Sequence, residues 1–387
     1  MADSLMPTYS RLPVTFERGE GAYLWDANGK QYLDAIAGIA VCSVGHAHPD
    51  IAEAIYDQAK KLVHTSNLYQ LDLQQRLGEK LCQLSGLKEV FFSNSGAEAN
   101  EAAIKLARRY ASQNNIVNPE IIVVSGSFHG RTLATLSATG NEKIKEGFEP
   151  LVSGFIQVPY NDIEAIKTVA KNHPNVVAVL VEPIQGEGGV NIPDEHYLAT
   201  IRELCNQYNW LMMLDEIQTG MGRTGKWFAF QHTTIKPDVM TLAKALGNGV
   251  PIGACIAGEK AAGILTAGTH GSTFGGNPLA CRAALTVIDI MEQHDLCQQA
   301  QKQGNYLLQQ FKAQLGQPQV EHIRGKGLMI GIELTEECTG LVKQALEKGV
   351  LINVTAGKVI RLLPPLVIDQ QQADQIIATV IELVDTI

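Results

Sequence analysis

The sequence predicts an α/β fold, in which a mostly parallel central sheet is covered by helices on both faces. Five short apolar runs are continuous rather than alternating, as is typical of parallel strands that are buried on both faces. These runs cover residues 90–92, 121–124, 176–181, 211–214 and 239–242. Segments of helical period lie between them; in residues 97–110 the apolar side chains follow one helix face, at Ala103, Ile104, Ala107 and Tyr110.

Each apolar run ends in polar or glycine-rich residues, at 93–96, 125–130, 182–188, 215–218 and Lys244. In open α/β sheets, ligands bind outside the carboxyl ends of the strands. We therefore expect these five strand ends to converge on one ligand site.

Both ends of the chain carry further strand signals. Residues 21–33 contain a predicted hairpin that turns at Asn28-Gly29, and short apolar runs recur at 328–334 and 359–363. We therefore predict a smaller α+β domain that is built from both termini. The predicted division has residues 1–48 as its N-terminal part, 49–280 as the large domain and 281–387 as its C-terminal part.

Charge and composition exclude several classes of partner. The 387 residues carry a net charge of −9, without acidic blocks or basic tracts, which argues against nucleic acid or an anionic membrane. No apolar run reaches about 18 residues, and the first seven residues lack the basic flank and apolar stretch of a secretory signal. We expect a cytoplasmic protein with no nucleic-acid or membrane partner.

The cysteines and histidines do not predict a metal site. Seven cysteines are scattered without Cys-x-x-Cys spacing, which indicates buried free thiols. His46 and His48 form a His-x-His pair with no third ligand in view, so we interpret them as loop residues. We expect no metal.

Asp215 and Lys244 indicate the chemistry most directly. Asp215 ends one apolar run and Lys244 closes another, so both are expected at the same rim of the sheet. Pyridoxal phosphate requires a lysine for a Schiff base and a carboxylate that keeps its pyridine nitrogen protonated. The pair therefore predicts an enzyme that uses pyridoxal 5'-phosphate.

Residues 214–225, Leu-Asp-Glu-Ile-Gln-Thr-Gly-Met-Gly-Arg-Thr-Gly, together with Lys244, carry a family resemblance that extends over nearly the whole chain. The sequence resembles the class III aminotransferases, which have the type I fold of pyridoxal-phosphate enzymes. The resemblance implies that Lys244 is the catalytic Schiff-base lysine and proton carrier, and that Asp215 pairs with the ring nitrogen. It also implies that Gln218 bonds the phenolic oxygen of the cofactor and that Phe128 stacks on its ring.

Ser95, Gly96 and Ala97 are expected to open a helix. Its unpaired N–H groups and positive dipole end favour the cofactor phosphate, although an ordinary serine cap followed by Glu98 has the same pattern. By resemblance, Thr273 completes the phosphate site across a dimer interface. The resemblance therefore implies a homodimer with shared active sites.

Four further residues are predicted to bind substrate. The planar guanidinium of Arg131 suits a carboxylate, and Arg361 resembles the family arginine that binds the α-carboxylate of glutamate or 2-oxoglutarate. Glu187 resembles the carboxylate that pairs with this arginine while an ω-amine substrate is bound. Ser272, beside the predicted phosphate ligand, is assigned to substrate binding by the same resemblance.

The substrate expectation also rests on resemblance, which is greatest to family members that act on N2-acetylornithine. Ile39 stands where ornithine-specific members place a tyrosine. The absence of this tyrosine favours an acylated amine over free ornithine. The implied reaction transfers the δ-amino group of N2-acetylornithine to 2-oxoglutarate, giving N-acetylglutamate 5-semialdehyde and glutamate, in arginine biosynthesis. Succinyldiaminopimelate, ornithine and 4-aminobutyrate are the alternative amines.

Two other classes of function fit parts of the sequence. Residues 220–225 match the Gly-x-Gly-x-x-Gly fingerprint of NAD-dependent oxidoreductases and nearly match a nucleotide-binding P-loop. However, these glycines do not directly follow a strand and do not open a recognisable helix. An aminomutase or decarboxylase is a closer rival, and the presence of both Glu187 and Arg361 favours two-substrate transamination.

Overall fold

The computed structural model describes residues 4–316 and 318–387. Residues 1–3, which belong both to the predicted segment 1–48 and to the first seven residues considered above, lie outside the described residues. Along the described chain, no helix is both long and apolar enough to cross a membrane.

The strands of the described chain lie in three sheets. They are β1 (Phe16–Glu20), β2 (Tyr23–Asp26), β3 (Gln31–Asp34), β4 (Glu89–Ser93), β5 (Glu120–Val124), β6 (Phe155–Val158), β7 (Val176–Val181), β8 (Leu211–Asp215), β9 (Val239–Leu242), β10 (Gly253–Ala257), β11 (Val320–Lys326), β12 (Met329–Leu334), β13 (Val350–Leu351), β14 (Asn353–Thr355) and β15 (Val359–Leu362).

Helices connect and cover these strands. They are α1 (Ala37–Ala40), α2 (Pro49–Lys61), α3 (Asp72–Ser85), α4 (Gly96–Gln113), α5 (Leu133–Ala138), α6 (Ile163–Asn172), α7 (Tyr197–Gln207), α8 (Pro278–Gln293), α9 (Leu296–Gln314), α10 (Leu341–Glu347) and α11 (Gln370–Val384). Short 3₁₀ turns cover Glu142–Ile144, Ala229–His232 and Lys244–Leu246.

The central sheet has the strand order β4-β10-β9-β8-β7-β5-β6. The strands β9, β8, β7, β5 and β6 pair in parallel, so the predicted mostly parallel α/β sheet is confirmed. All five predicted runs are strands, although β4 is not part of the parallel block. Among the described strands, β4 pairs only with β10, which is antiparallel to both of its neighbours.

Burial on both faces explains the continuous apolar runs. Along β8, Met212 and Leu214 pack into one hydrophobic cluster, while Leu211 and Met213 pack into another on the opposite face. All four side chains are fully buried. Because each such burial contributes about 1.5–3 kcal/mol, a polar residue is costly anywhere in this strand except at its carboxyl end.

The two smaller sheets combine distant parts of the chain. In the first, β2 and β3 form the predicted hairpin around Gly29, and β13 joins the sheet by pairing in parallel with β3. The second has the order β11-β12-β15-β14 and contains the predicted strands near 328–334 and 359–363. The assignment of residues 1–48, 49–280 and 281–387 to two domains stays a prediction.

The cysteine prediction is only partly correct. All seven thiols are free, and Cys205, Cys255, Cys281 and Cys338 are buried. Cys42, Cys82 and Cys297 are half-buried instead.

Arg223 ties the central sheet to both termini. It lies in the loop after β8, is 0% exposed, and donates hydrogen bonds to the carbonyl oxygens of Leu328 and Pro364 and to the Ser43 hydroxyl. A buried guanidinium is stabilised only when such acceptors replace water. This contact fixes the region before β12 and the segment after β15 against the rim of the central sheet.

We expect Arg223→Met to lower the free energy of unfolding by about 2–4 kcal/mol, since it leaves two buried carbonyl oxygens without their donor. Urea unfolding followed by circular dichroism measures the change. Arg76→Met is the matched control: Arg76 is an exposed arginine 3.7 Å from Asp72, and its loss should change stability by less than about 0.5 kcal/mol. Equal effects of the two substitutions would contradict this account of Arg223.

Candidate active site

A cavity of about 400 Å³ lies at the carboxyl ends of the central strands. Asp215 is the last residue of β8, and Lys244 begins the 3₁₀ turn after β9, which is the parallel neighbour of β8. The cavity is lined by most of the residues predicted for the site, namely Ser95, Gly96, Ala97, Phe128, Arg131, Glu187, Asp215, Gln218 and Lys244. The structure thus brings the predicted acid and amine to one cavity, and their individual roles stay predictions.

The Asp215 carboxylate is buried and held by three donors. Its Oδ2 accepts from Asn100 Nδ2 at 2.7 Å and lies 2.8 Å from His129 Nδ1, while its Oδ1 accepts from the Ile217 backbone N–H. Asn100 is itself oriented by Thr241, whose hydroxyl donates to the Asn100 amide oxygen. Since an unpartnered buried carboxylate is costly, this network fixes the charge at the base of the cavity.

Lys244 combines backbone strain with an unusual amine. Its φ of +46° lies in the left-handed region, which costs a residue with a Cβ about 1–2 kcal/mol and is typical of functional positions. Burial lowers the pKa of the amine below its ordinary value, although Glu187 and Asp215 act in the opposite direction. A lowered pKa makes more of the neutral amine available as a nucleophile.

Helix α4 begins at the cavity. Its first residues, Gly96 and Ala97, line the cavity after Ser95, whose side chain accepts from the Glu98 backbone N–H. The ordinary serine cap that the sequence left open is therefore present, together with a helix N-terminus that faces the cavity. The N-terminal N–H groups and helix dipole of this 18-residue helix suit an anion such as a phosphate.

Arg361 and Glu187 form an ion pair beside the cavity. Arg361 Nη1 donates to Glu187 Oε1 at 2.6 Å and to Gln218 Oε1 at 3.3 Å. Burial alone would raise the pKa of Glu187, but the Arg361 guanidinium outweighs it and lowers that pKa. The guanidinium is 1% exposed, whereas the Glu187 side chain is 37% exposed. The carboxylate is thus the partner with room to move.

Gly186 lies close to Gln218 and leaves room for the Gln218 side-chain amide. A Cβ at Gly186 would lie 2.1 Å from Gln218 Oε1, so a glycine is required there if Gln218 is to reach Arg361. Gln218 is buried and lines the cavity between Asp215 and Glu187.

Two other buried acids flank this region. Glu182 accepts from the backbone N–H groups of Phe128 and Gly186, and burial raises its pKa to about 7. Glu216 is also buried, with a pKa raised to about 7, and accepts from the backbone N–H groups of Ala229 and Phe230. Glu182 lines the cavity, whereas Glu216 holds the loop that follows β8.

Three predicted site residues do not line the cavity. Arg361 lies behind Glu187, as described above. Ser272 accepts from Asn94 Nδ2 at 3.2 Å through its hydroxyl, and Thr273 is exposed to solvent. Arg131 does line the cavity but is largely exposed, with its guanidinium 5.8 Å from the centre of the Phe128 ring.

The sequence patterns did not predict Asn100, His129, Glu182 and Asn353 as site residues. The amide of Asn353 accepts from Arg361 Nη2 at 2.7 Å. A signal existed for Asn100, because it lies three positions before Ala103, on the apolar face of α4, where a polar side chain needs a buried partner. The sequence carries no comparable signal for Asn353, since only the pairing of β14 with β15 places it at the arginine.

Ile39 lies in α1, a short segment with an unusual backbone conformation. Residues 37–40 all have φ between +47° and +64°, so this turn is left-handed. Asp34 supports it by accepting from the backbone N–H groups of Ile36 and Ala37. Val41, which follows the turn, lines the cavity, and Ile39 is 38% exposed.

The remaining motifs have structural partners. His46 Nε2 lies 2.7 Å from Asp34 Oδ2, and His48 caps α2 by accepting from the Asp50 backbone N–H. Within the described part of the chain, no group of three or more His, Cys, Asp or Glu side chains is arranged to hold a metal ion. The glycine-rich loop at residues 220–225 is buried, which leaves no open surface for a nucleotide there.

Comparison with known proteins agrees with this geometry. A family model described as aminotransferase class-III matches residues 5–384. An acetylornithine aminotransferase of Nitrosomonas europaea is 57% identical over 98% of this chain and 97% of its own length.

Solved structures of aminotransferases share the whole fold. An acetylornithine aminotransferase of Elizabethkingia anophelis is 36% identical with a TM-score of 0.88, over 99% of this chain and 96% of the other. An ornithine aminotransferase of Toxoplasma gondii, reported with partial occupancy of PLP at its active site, is 35% identical with a TM-score of 0.94, over 98% and 92%. The predicted family and fold are confirmed: the chain belongs to the class III aminotransferases.

Proposed function

We propose that the protein is a pyridoxal-phosphate-dependent acetylornithine aminotransferase. It would transfer the δ-amino group of N2-acetylornithine to 2-oxoglutarate in a ping-pong cycle, as a step of arginine biosynthesis. The observation that carries the proposal is the joint placement of Asp215, Lys244 and the Glu187–Arg361 pair around one cavity. The names of the similar proteins support the choice of amine.

The residues around the cavity fit pyridoxal phosphate. Asp215 offers a fixed buried anion for a protonated ring nitrogen, the start of α4 suits the phosphate, and Lys244 offers an amine of lowered pKa. Within the described residues, His129 Nε2 is a buried polar atom without a partner, as expected of a site that is completed by a ligand. When bound, the cofactor withdraws electrons from the substrate carbon and carries the amino group between the half-reactions.

Each protein group would then have a separate task. Lys244 would hold the cofactor and move a proton at the substrate carbon, because its amine reaches the cavity. Phe128 would cover the ring, and Gln218 would donate to the phenolic oxygen. Arg131 would bind the carboxylate that lies far from the reacting amine in both N2-acetylornithine and glutamate.

The Glu187–Arg361 pair would distinguish the two half-reactions. With the pair closed, the arginine charge is neutralised and the cavity accepts an uncharged methylene end. With Glu187 displaced, Arg361 is open to the α-carboxylate of glutamate or 2-oxoglutarate. A decarboxylase would not need both arrangements, which favours transamination.

A homodimer and a cytoplasmic location belong to the same proposal. Thr273 is exposed and lies outside the cavity of its own chain, which supports a role in the site of a partner subunit. The cytoplasmic location is proposed from the sequence.

The reaction is tested by adding N2-acetylornithine, and then 2-oxoglutarate, to the purified holoenzyme. We expect the visible absorbance band of the bound cofactor to disappear and then to return, with one glutamate formed per cycle. Lys244→Ala should lose this band and slow turnover by at least about 10²–10⁴-fold, as expected for loss of a proton-transferring group. Lys226→Ala, at an exposed lysine, is the control. A response to ornithine or 4-aminobutyrate but not to N2-acetylornithine would overturn the proposed substrate.

Glu187→Gln should impair the ω-amine half-reaction more than the glutamate half-reaction, because it leaves the Arg361 charge without its counter-ion when an uncharged methylene end binds. We expect a loss of about 10–100-fold in kcat/KM for N2-acetylornithine, equivalent to about 1.4–2.8 kcal/mol. The loss for glutamate should stay within about threefold. Stopped-flow measurement of each half-reaction tests the split, with the exposed Glu195→Gln as control. Equal losses in both halves would argue against the switch.

Thr273→Val should weaken cofactor binding although Thr273 does not line the cavity of its own chain. Loss of one charge-assisted hydrogen bond of about 1.5 kcal/mol corresponds to an increase of about tenfold in Kd. Equilibrium titration of the apoenzyme with pyridoxal phosphate measures the effect. Thr266→Val, at another exposed threonine of the same loop, is the control, and an unchanged Kd in the Thr273 variant would remove the argument for a shared site.

A further inference from the structure

The Arg361 guanidinium is bound differently along its two edges. One edge, formed by Nε and Nη2, donates to the single amide oxygen of Asn353 at 3.1 and 2.7 Å. The other edge donates through Nη1 to Glu187 and Gln218. These contacts use four of the five N–H groups of a guanidinium. The first edge therefore faces a neutral acceptor, and the second faces a carboxylate.

Asn353 is fixed by the backbone, whereas the Glu187 side chain is not. Asn353 is the first residue of β14 and the direct cross-strand partner of Arg361 on β15. Directly paired residues hold their Cβ atoms about 4.5–5.5 Å apart, so the short Asn353 side chain stays within reach of the guanidinium while the two strands are paired. Glu187 lies in a loop, and its backbone oxygen accepts from the Thr355 hydroxyl on the same strand β14. Only the carboxylate of Glu187 is free to leave.

The Arg361 guanidinium therefore has one acceptor that stays in place, Asn353, and one that can be exchanged, Glu187. If Glu187 were the sole acceptor, its departure would leave a nearly fully buried cation without any partner, at a large desolvation cost. An amide oxygen that stays in place reduces this cost without neutralising the charge. It also keeps the guanidinium plane fixed, so that Nη1 stays directed to the position from which the carboxylate departs.

We propose that Asn353 is a positioning residue that holds Arg361 while Glu187 is exchanged for the carboxylate of the acceptor substrate. The inference rests on the proposed function, in which one site accepts an uncharged chain and a carboxylate in turn. A neutral amide is the group required at this position. A second carboxylate there would neutralise Arg361 permanently, and an apolar group would let the guanidinium follow Glu187.

Asn353→Ala should therefore act on one half-reaction. We expect the KM for 2-oxoglutarate and for glutamate to rise about tenfold or more, whereas kcat/KM for N2-acetylornithine should stay within about threefold of the unaltered enzyme. The affinity for glutarate, a simple dicarboxylate, should fall to the same extent in a binding titration that does not depend on turnover. Asn172→Ala, on the exposed face of α6, is the matched control. Equal losses in both half-reactions would overturn the proposal.

A rescue experiment separates this role from a merely structural one. Glu187→Gln alone removes the charge that neutralises Arg361, and Asn353→Asp restores a negative charge on the opposite edge of the same guanidinium. In the double variant we expect the N2-acetylornithine half-reaction to return to within about threefold of the unaltered enzyme. The glutamate half-reaction should become at least about tenfold slower. Failure of the rescue, in a protein that retains its visible cofactor band and melting temperature, would overturn the role of Asn353.

Two further results complete the test. If the double variant does not fold, the split between half-reactions in Asn353→Ala decides the matter. The unaltered enzyme decides the proposed function separately, because absence of a response to N2-acetylornithine would contradict that function and not the role of Asn353. In that case the two half-reactions are compared with whichever ω-amine the enzyme accepts.

Discussion

The buried carboxylate of Asp215 is the constraint on which the site depends. A charge at this depth requires donors on several sides, and these donors come from three different elements: Asn100 on α4, His129 after β5, and the backbone of Ile217 after β8. Satisfying one carboxylate therefore fixes the start of α4 and the strand ends relative to each other. The same helix start suits the phosphate of the proposed cofactor, so the groups proposed for the two ends of the cofactor are held by a single network.

The sequence predicts strands best where both faces of the strand are buried. It predicts contacts least well where the two partners are set by the pairing of separate strands. Runs of large apolar residues predicted β7 and β9 to the residue, because both faces of these strands are buried. Strand β10 was missed since Gly253–Ala257 consists mainly of small residues, whose strand character comes from neighbours on both sides. Asn353 could not be predicted either, because its partner is set by a register that the sequence does not encode locally.

The predicted site residues divide in a similar way. Residues at the end of a strand or shortly after it, such as Asp215 and Gln218, could be located at the cavity because chain direction alone brings them there. The position of Arg361 depended on the resemblance, since it lies within a strand of a different sheet. Its contact with Glu187 connects that sheet to the cavity, so the group proposed to bind the α-carboxylate of the acceptor is carried by the small sheet.

The two smaller sheets also position residues that lie close to the cavity. Arg223 fixes the segment that follows β15 to the loop after β8, and the left-handed turn at residues 37–40 is held by Asp34 at the end of β3. Residues 37–40 lead directly to Val41, and the loop after β8 contains Ile217 and Gln218; these three residues line the cavity. A site that accepts two different substrate ends needs one exchangeable ion pair surrounded by residues that do not move. If the surrounding residues also moved, the site could not distinguish the uncharged end from the carboxylate. Burial of Arg361 and exposure of Glu187 satisfy this requirement with two side chains of the same ion pair.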